Sequence, residues 1–243
     1  MFIFKRGTLV QKRNIMALKK EQTETGKKTQ VFIVDDHPVV RDGLVTIINH
    51  EQDFNACGQA EDTTSALKAI TELKPDVVVV DISLKNSDGI ELTKSIKAGY
   101  PGLPVIIFSV HDESVYAERA LRAGAQGYMM KETIAENIIK AIRTVLNGEI
   151  FVSDKILKKL LHEIAGNKTG TDKMPIDNLS DRELEIFRMI GEGLKASEAA
   201  KQLHLSIKTV ETYRTRIKEK LGLVNASELL QYSIRWAKSQ DKE

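Results

Sequence analysis

Several polar residues that could do chemistry each follow a short apolar run. Asp81 directly follows four valines at 77–80, a run typical of a strand that is buried on both faces. The others are Asp35 and Asp36 after residues 31–34, Ser109 after residues 105–108, and Lys131 after residues 126–130. In an open parallel sheet, ligands and reactive groups gather beyond the carboxyl ends of the strands. The sequence therefore predicts that three carboxylates, a hydroxyl and an ammonium meet at one sheet edge.

This set of residues suits phosphoryl chemistry. Three neighbouring carboxylates repel one another, so their site should prefer a divalent cation or a proton. Mg²⁺ fits best, because it takes hard oxygen ligands and combines one or two carboxylates with waters and phosphate oxygens. Asp35 and Asp36 would hold the metal, while Asp81 also offers a nucleophilic oxygen that needs no general base at neutral pH. The product would be an aspartyl phosphate, with Mg²⁺ and Lys131 neutralising the transferred charge.

Each of these residues has a simpler alternative role. An aspartate after a strand often caps the next helix, and a single lysine is more often solvated. The functional interpretation is preferred because capping residues would not need to converge on one sheet edge. His111, two residues after Ser109, either shapes water access to a phosphoryl group or is simply exposed, and we expect it to be exposed.

The elements that would position these residues alternate between strand and helix from residue 30 to about 147. Helices are predicted after Pro38, Asp62, Asp112 and Thr133, with a further helix after a loop at residues 83–89. Five β/α units in about 118 residues predict a doubly wound α/β domain with a five-stranded parallel sheet. The right-handed crossover rule places its helices on both faces.

These polar positions resemble the signature of two-component response-regulator receiver domains, over residues 30 to about 150. Asp35 and Asp36, Asp81, Ser109 and Lys131 follow one another at intervals of about 45, 28 and 22 residues, as in that family. The resemblance implies a flavodoxin-like fold, phosphorylation of Asp81, and phosphate contacts from Ser109 and Lys131. It also implies that Asp35, Asp36, Asp81 and the backbone carbonyl of Ser83 bind Mg²⁺.

Ser109 could hydrogen-bond the new phosphoryl oxygens and draw its loop inward. Tyr128, on the neighbouring predicted strand, carries the ring that could then turn between exposed and buried positions. In the resembling family these two positions form a hydroxyl–aromatic switch. An ordinary core role for Tyr128 stays open.

The C-terminal third has only helical signals. Residues 148–178 lose the alternation, with one short amphipathic helix at 156–164 and a polar tether at 166–173. Ser180 and Glu183 form a capping box, and a short helix at 196–203 precedes a turn at 205–206. In the next helix the apolar stripe is Val210, Tyr213, Ile217 and Leu221. A short helix, a tight turn and a longer helix with polar residues outward indicate a helix-turn-helix.

Residues 179–236 resemble LuxR-type DNA-binding domains in the motifs LSDRELE, LSIKTVETY and KEKLGL, and with the receiver the chain resembles the NarL/FixJ family. The resemblance implies base-facing positions at Glu211, Thr212, Thr215 and Arg216. It implies phosphate-facing positions at Lys208, Thr209, Tyr213, Arg214 and Lys218. Glu211 is unusual there, since a carboxylate can accept from cytosine N4 or repel the DNA backbone, and Thr209 is equally suited to starting the helix. The last helix, residues 227–237, should cover the core and could supply a two-fold contact.

Composition and charge agree with a soluble protein of 243 residues in two domains. A single cysteine, Cys57, excludes an internal disulfide and fits a reducing, cytoplasmic compartment, and its apolar surroundings predict a buried strand position. No apolar run is long enough to span a membrane, and no secretory signal is evident. Residues 1–29 carry a net charge of +6, residues 30–172 a net charge of −6, and residues 173–243 a net charge of +2. We expect a mobile basic arm at 1–29, a receiver at 30–150, a linker at 151–178 and a DNA-binding domain at 179–243.

The function expected from these features is a transcription factor controlled by phosphorylation. A sensor histidine kinase would phosphorylate Asp81 with Mg²⁺, which would shift the protein from a form that is masked or monomeric to a dimer on promoter DNA, with RNA polymerase as a further candidate partner. The receiver would only phosphorylate and dephosphorylate itself, so we do not expect an enzyme. Two alternatives are a DNA-binding protein that does not depend on phosphorylation and a phosphotransfer module that serves as a phosphate sink.

Overall fold

The computed structural model describes residues 28–84, 87–164 and 175–240. The predicted polar tether at 166–173 and nearly all of the predicted basic arm at 1–29 lie outside these residues. Within the described ranges, no helix is both long and apolar enough to cross a membrane.

The N-terminal domain is built on a five-stranded parallel sheet. The described residues of this domain form the strands β1 (Thr29–Val34), β2 (Phe54–Ala60), β3 (Val77–Val80), β4 (Ser83–Leu84), β5 (Ser87–Asp88), β6 (Val105–Ser109) and β7 (Gly127–Met130). The sheet has the strand order β2-β1-β3-β6-β7, which is the doubly wound, flavodoxin-like arrangement that the sequence predicts, while β4 and β5 pair with each other.

Helices follow the strands at the predicted places. Those of the first domain and its C-terminal extension are α1 (Pro38–His50), α2 (Thr63–Leu73), α3 (Gly89–Gly99), α4 (Glu113–Arg122), α5 (Ile134–Leu146) and α6 (Asp154–Ile164). The carboxylate of Asp62 caps α2 by accepting from the Ser65 N–H at 2.9 Å, and Asp112 caps α4 by accepting from the Ser114 N–H at 2.7 Å. These side chains start the helices as predicted because each satisfies an N–H that has no intrahelical partner.

The sheet register aligns the carboxyl ends of the strands. Val34 of β1 pairs with Val80 of β3, Val80 is level with Ile107 of β6, and Ser109 of β6 pairs with Met130 of β7. Asp35, Asp81 and Lys131 directly follow these positions. The register therefore brings the predicted polar residues to one edge.

Two apolar layers cover the sheet. Val77 and Val79 contribute to the layer with α1 and α5, and Val78 and Val80 to the layer with α2, α3 and α4. All four valines are buried, as predicted for a strand covered on both faces. The second layer is continuous with the apolar core of the C-terminal domain, so the two domains are packed together.

The described part of the C-terminal domain contains the helices α7 (Asp181–Gly191), α8 (Ala196–Gln202), α9 (Ile207–Leu221) and α10 (Ala226–Gln240). The predicted capping box is present, since Ser180 accepts from the Glu183 N–H and the Glu183 carboxylate accepts from the Ser180 N–H. Phe187 of α7 packs against Tyr232 and Trp236 of α10. The last helix therefore covers the helix-turn-helix core, as predicted.

Three local predictions were wrong or incomplete. The predicted loop at 83–89 contains a short antiparallel pairing of β4 and β5. The helix predicted from Thr133 is preceded by a 3₁₀ turn at Lys131–Thr133. Cys57 is half-buried and not buried, because β2 is an edge strand with a neighbour on one side only.

Candidate functional site

Lys131 connects two of the predicted carboxylates at the sheet edge. Its ammonium lies 2.6 Å from Asp35 Oδ2 and 2.8 Å from Asp81 Oδ2. Both aspartates are almost completely buried, whereas Lys131 remains partly accessible. The structure thus brings together residues that are 50 and 96 positions apart in sequence.

Burial and charge act against each other in this group. Burial raises the pKa of Asp81, Lys131 lowers it, and the nearby charge of Asp35 raises it again, so that the net shift is upward. Burial lowers the pKa of Lys131, but the two carboxylates outweigh that effect and raise it. The site therefore holds more negative charge than one ammonium offsets, which favours an added cation.

The oxygen atoms at this edge fit a hard divalent cation. One ligand atom each from Asp35, Asp36, His37 and Asp81 lies within 4.8 Å of the others. Asp81 Oδ1 is buried and accepts no hydrogen bond from any residue that the structure describes. An unpartnered buried carboxylate oxygen is costly unless something else binds it, and Mg²⁺ prefers oxygen ligands of this kind. The residues present therefore fit Mg²⁺.

His37 is a residue near this site that the sequence analysis missed. Its Nδ1 lies 2.6 Å from Asp36 Oδ1, and its backbone N–H donates to Asp35 Oδ1 at 2.8 Å. The imidazole is exposed. Its place directly after the Asp35–Asp36 pair is the signal that could have identified it.

Ser109 and Tyr128 are buried, and both contact the backbone of residue 111. The Ser109 hydroxyl accepts from the His111 N–H at 3.1 Å, and the Tyr128 hydroxyl donates to the His111 carbonyl at 2.7 Å. Burial raises the pKa of Tyr128, so this hydroxyl stays protonated and remains a donor. Tyr128 is therefore in a buried position here, packed in the core as well as hydrogen-bonded.

The expectation that His111 is exposed was wrong, since only 5% of it is accessible. Its ring packs 4.9 Å from the ring of Tyr116 on α4, and its Nε2 lies 2.8 Å from the Ser83 hydroxyl. That hydroxyl in turn donates to the carboxylate of Glu185 in the C-terminal domain at 2.9 Å. His111 thus lies between Tyr116 of the receiver and Glu185 of the second domain, a contact between domains that single-domain patterns could not reveal.

Gly89 fixes the loop that follows Asp81. A β-carbon at this position would lie 1.9 Å from the carbonyl oxygen of Asp81, a distance that no real contact allows. The Gly89 N–H also donates to the carbonyl of Ile82 at 2.8 Å. Only glycine permits this approach, so Gly89 is a second residue of the site that sequence reasoning missed.

The predicted DNA-facing residues all lie on α9, the second helix of the helix-turn-helix. The predicted base-facing residues Glu211, Thr212, Thr215 and Arg216 are all exposed. Among the predicted phosphate-facing residues, Lys208 is exposed and Thr209, Tyr213, Arg214 and Lys218 are half-buried.

Several of these side chains already have partners within the helix. Thr209 shares a hydrogen bond with the hydroxyl of the N-cap Ser206, in keeping with the alternative that it starts the helix. Glu211 pairs with Arg214 at 2.9 Å. The carboxylate of Glu211 is thereby partly neutralised on the surface that would face DNA.

Comparisons with known proteins agree with this two-part architecture. Residues 31–143 match the response regulator receiver domain, and residues 177–233 match the luxR family of bacterial regulatory proteins. The oxygen regulatory protein NreC of Staphylococcus aureus is 36% identical over 210 residues, which cover 85% of this chain and 97% of that protein.

Solved structures of the response regulator RcsB are also similar. A structure from Salmonella typhimurium has 30% identity and a TM-score of 0.51, over 85% of this chain and 98% of that chain. RcsB from Salmonella enterica serovar Typhimurium, bound to promoter P1flhDC with the phosphomimetic BeF₃⁻, has 29% identity and a TM-score of 0.54 over the same shares. Another RcsB structure contains two dimers bound to two parallel DNAs. The chain therefore belongs to the NarL/FixJ family of DNA-binding two-component response regulators, with a receiver domain followed by a LuxR-type helix-turn-helix domain.

Proposed function

We propose that Asp81 accepts a phosphoryl group from a sensor histidine kinase and that this phosphorylation controls promoter binding and dimerisation. The observation that carries the proposal is the state of the Asp81 carboxylate. Lys131 holds one of its oxygens, while the other, Oδ1, is buried and has no hydrogen-bond partner among the described residues. The carboxylate is therefore only half satisfied, which leaves it able to bind a cation and to act as a nucleophile.

The transfer needs little from the protein beyond position and charge. One oxygen of the Asp81 carboxylate forms a bond to phosphorus as the phosphorus–nitrogen bond of the donor phosphohistidine breaks, and the electron pair returns to the imidazole nitrogen. Lys131 is close enough to neutralise charge on the transferred group. Ser109, at the end of β6 next to β3, would supply a hydroxyl for the new oxygens. Hydrolysis of the aspartyl phosphate would return the chain to its starting state, so that the chain itself is the substrate.

Asp35, Asp36, Asp81 and the backbone carbonyl of Ser83 would hold Mg²⁺, and the backbone N–H of His37 fixes the carboxylate of Asp35. When bound, Mg²⁺ would neutralise the carboxylates and the phosphoryl oxygens. The support for this assignment is the convergence of carboxylate oxygens and the unpartnered Asp81 Oδ1. Binding can be measured without phosphorylation, because Mg²⁺ should raise the unfolding temperature of the native chain by mass action.

The control of DNA binding is proposed to act through the packing of the two domains. The predicted base-facing side chains of α9 are exposed while the domains are packed, so burial of these side chains is not the means of control. The unphosphorylated state is instead proposed to be a packed monomer, in which contacts with the receiver restrict pairing of the DNA-binding domains. RcsB, which has been solved as dimers on DNA, supports dimerisation as the active state. RNA polymerase is the further partner that such a function implies.

A second candidate is DNA binding that does not depend on phosphorylation. The exposure of Glu211, Thr212, Thr215 and Arg216 in the packed arrangement favours it, because nothing in the described residues covers these side chains. It predicts that Asp81→Asn leaves DNA affinity unchanged with and without phosphoryl donor.

The proposed chemistry is tested by incubating the full chain with phosphoramidate and Mg²⁺ and mapping the modified residue by mass spectrometry. Modification of Asp81 that is lost with EDTA and in Asp81→Asn is the expected result. Modification elsewhere, or equal modification of Asp81→Asn, would refute it. Asp76→Asn serves as the matched control, because Asp76 precedes β3 at the opposite end of the same strand.

A further inference from the structure

His111 makes three polar contacts, each with a different residue of the receiver. Its backbone N–H donates to Ser109, its backbone carbonyl accepts from Tyr128, and its imidazole contacts Ser83. The first two partners are the residues of the proposed hydroxyl–aromatic switch. A movement of Ser109 or Tyr128 would therefore break a hydrogen bond to the backbone of residue 111.

The imidazole of His111 connects the receiver to the DNA-binding domain through polar contacts. The Ser83 hydroxyl donates a hydrogen bond to Glu185 Oε1 at 2.9 Å. Because a hydroxyl has one proton to donate, its oxygen must accept from the imidazole N–H of His111. The imidazole nitrogen also lies 3.4 Å from the same Glu185 oxygen. Because Glu185 belongs to α7, a carboxylate of the DNA-binding domain closes a hydrogen-bond chain that begins at Ser109.

Glu185 is suited to this contact because it is charged and fixed. Burial raises its pKa, but the hydrogen bond with His111 and the charge of Arg182 outweigh that effect and lower the pKa to about 2. Arg182 holds the other carboxylate oxygen at 2.6 Å. The carboxylate is therefore anchored within its own domain while it contacts the receiver.

We propose that His111, through the cluster it forms with Ser83 and Glu185, transmits the state of Asp81 to the DNA-binding domain. This proposal rests on the proposed phosphorylation of Asp81 and names the contact through which it acts. When the Ser109 hydroxyl turns towards a phosphoryl group, the His111 N–H loses its acceptor and the residue shifts. The shift separates the imidazole from Glu185 and weakens the packing of α7 on the receiver.

The contact between the domains is weakened by two unsatisfied buried polar atoms and by a group of neighbouring carboxylates. Tyr116 Oη and Arg188 Nε are buried without a hydrogen-bond partner among the described residues. The pKa of Asp88 is raised to about 7 by burial and by the neighbouring charges of Asp181 and Glu185. Unsatisfied buried groups and crowded carboxylates each lower the stability of the packed form.

A second polar contact between the domains provides a matched control. Arg119 of α4 donates to the carbonyls of Leu179 and Ile176 and pairs with Asp181 at 3.1 Å. Neither Ser109 nor Tyr128 contacts Arg119 in the described hydrogen bonds. Loss of Arg119 should loosen the domains without cutting the connection to Asp81.

The experiment measures the DNA affinity of the full chain with and without phosphoramidate, and takes the ratio of the two affinities. The variants are His111→Ala, Glu185→Ala, the double variant and Arg119→Ala, on duplex DNA selected from a random pool by the phosphorylated protein. We expect a ratio of about five- to 150-fold for the native chain. It should fall to about one in both single variants, and the double variant should equal them. Arg119→Ala should tighten binding without donor yet keep a ratio above one.

Two further measurements keep the result interpretable. The phosphorylated fraction of Asp81 is determined for every variant, so that a failure of phosphorylation, which would count against the proposed function, is separated from a failure of transmission. If Glu185→Ala does not fold, Ser83→Ala removes the same hydrogen-bond chain from the receiver side. A His111→Ala protein that is fully phosphorylated and keeps the native ratio would overturn the proposal, as would additive effects in the double variant.

Discussion

The ammonium of Lys131 lies 2.8 Å from Asp81 Oδ2, although their strands are not neighbours in the sheet. β6 separates β3 from β7, and Lys131 crosses it with its ammonium 5.4 Å from the centre of the Phe108 ring. This contact connects the carboxyl ends of β3 and β7 beside the proposed phosphoryl acceptor. It also means that the residue stabilising the two buried carboxylates is the one that would contact the phosphoryl group.

Replacement of Lys131 should affect both stability and phosphorylation. Lys131→Met leaves Asp35 and Asp81 buried without their cation, and removing one partner of such a buried group costs about 3–5 kcal/mol. We expect a loss towards the lower end of that range in urea unfolding, partly recovered by Mg²⁺. The phosphorylation rate should fall as well. Lys140→Met, at an exposed position on α5, should change stability by less than about 0.5 kcal/mol. Equal stability of the two variants would contradict the role of Lys131.

Gly89 should tolerate no side chain. Gly89→Ala would force a β-carbon into the Asp81 carbonyl and should cost about 1–3 kcal/mol in unfolding free energy. Gly43→Ala is the control, because Gly43 lies in α1 with open space around the new carbon and should gain up to about 1 kcal/mol. Thermal unfolding of both variants measures these changes in stability. An unchanged melting temperature for Gly89→Ala would contradict the prediction and show that the loop can move away.

Glu183 should make the DNA-binding domain sensitive to acid. Burial raises the pKa of its carboxyl, but Lys220 and the Ser180 N–H outweigh that effect and lower it. A lowered pKa contributes stability above the ordinary value of 4.5, and this contribution is lost as the pH falls through the lowered pKa. Glu183→Gln should therefore unfold at lower temperature than the native chain at pH 7, with the difference shrinking below about pH 4. Glu219→Gln, at an exposed position on α9, should show no such pH-dependent difference.

The outward face of α9 should determine DNA affinity. Arg216→Ala removes an exposed guanidinium at a position that the family resemblance assigns to base contact, and should cost about 1–3 kcal/mol on a selected site. The Arg216→Ala protein should also discriminate less between selected and random DNA. Lys208→Ala should instead lower the affinity for both DNAs alike and reduce the salt dependence of binding. Lys201→Ala on α8 is the control, and an Arg216→Ala protein that matches it in both affinities would refute the assignment.

Much of this structure was predictable because it depends on local signals. Four valines before Asp81 indicate a doubly buried strand, and Asp62, Asp112 and Ser180 mark helix starts by residue type alone. The convergence at the sheet edge follows from strand ends in a parallel sheet. The burial of His111 was not predictable, because it depends on a residue 74 positions away in another domain.

The measurement that tests the central claim most directly is DNA affinity at fixed salt for three samples. These are the native chain alone, the native chain with phosphoryl donor and Mg²⁺, and Asp81→Asn with the same additions. We predict tighter binding for the phosphorylated native chain only. Equal binding by all three samples would contradict control through Asp81 and would favour DNA binding that does not depend on phosphorylation.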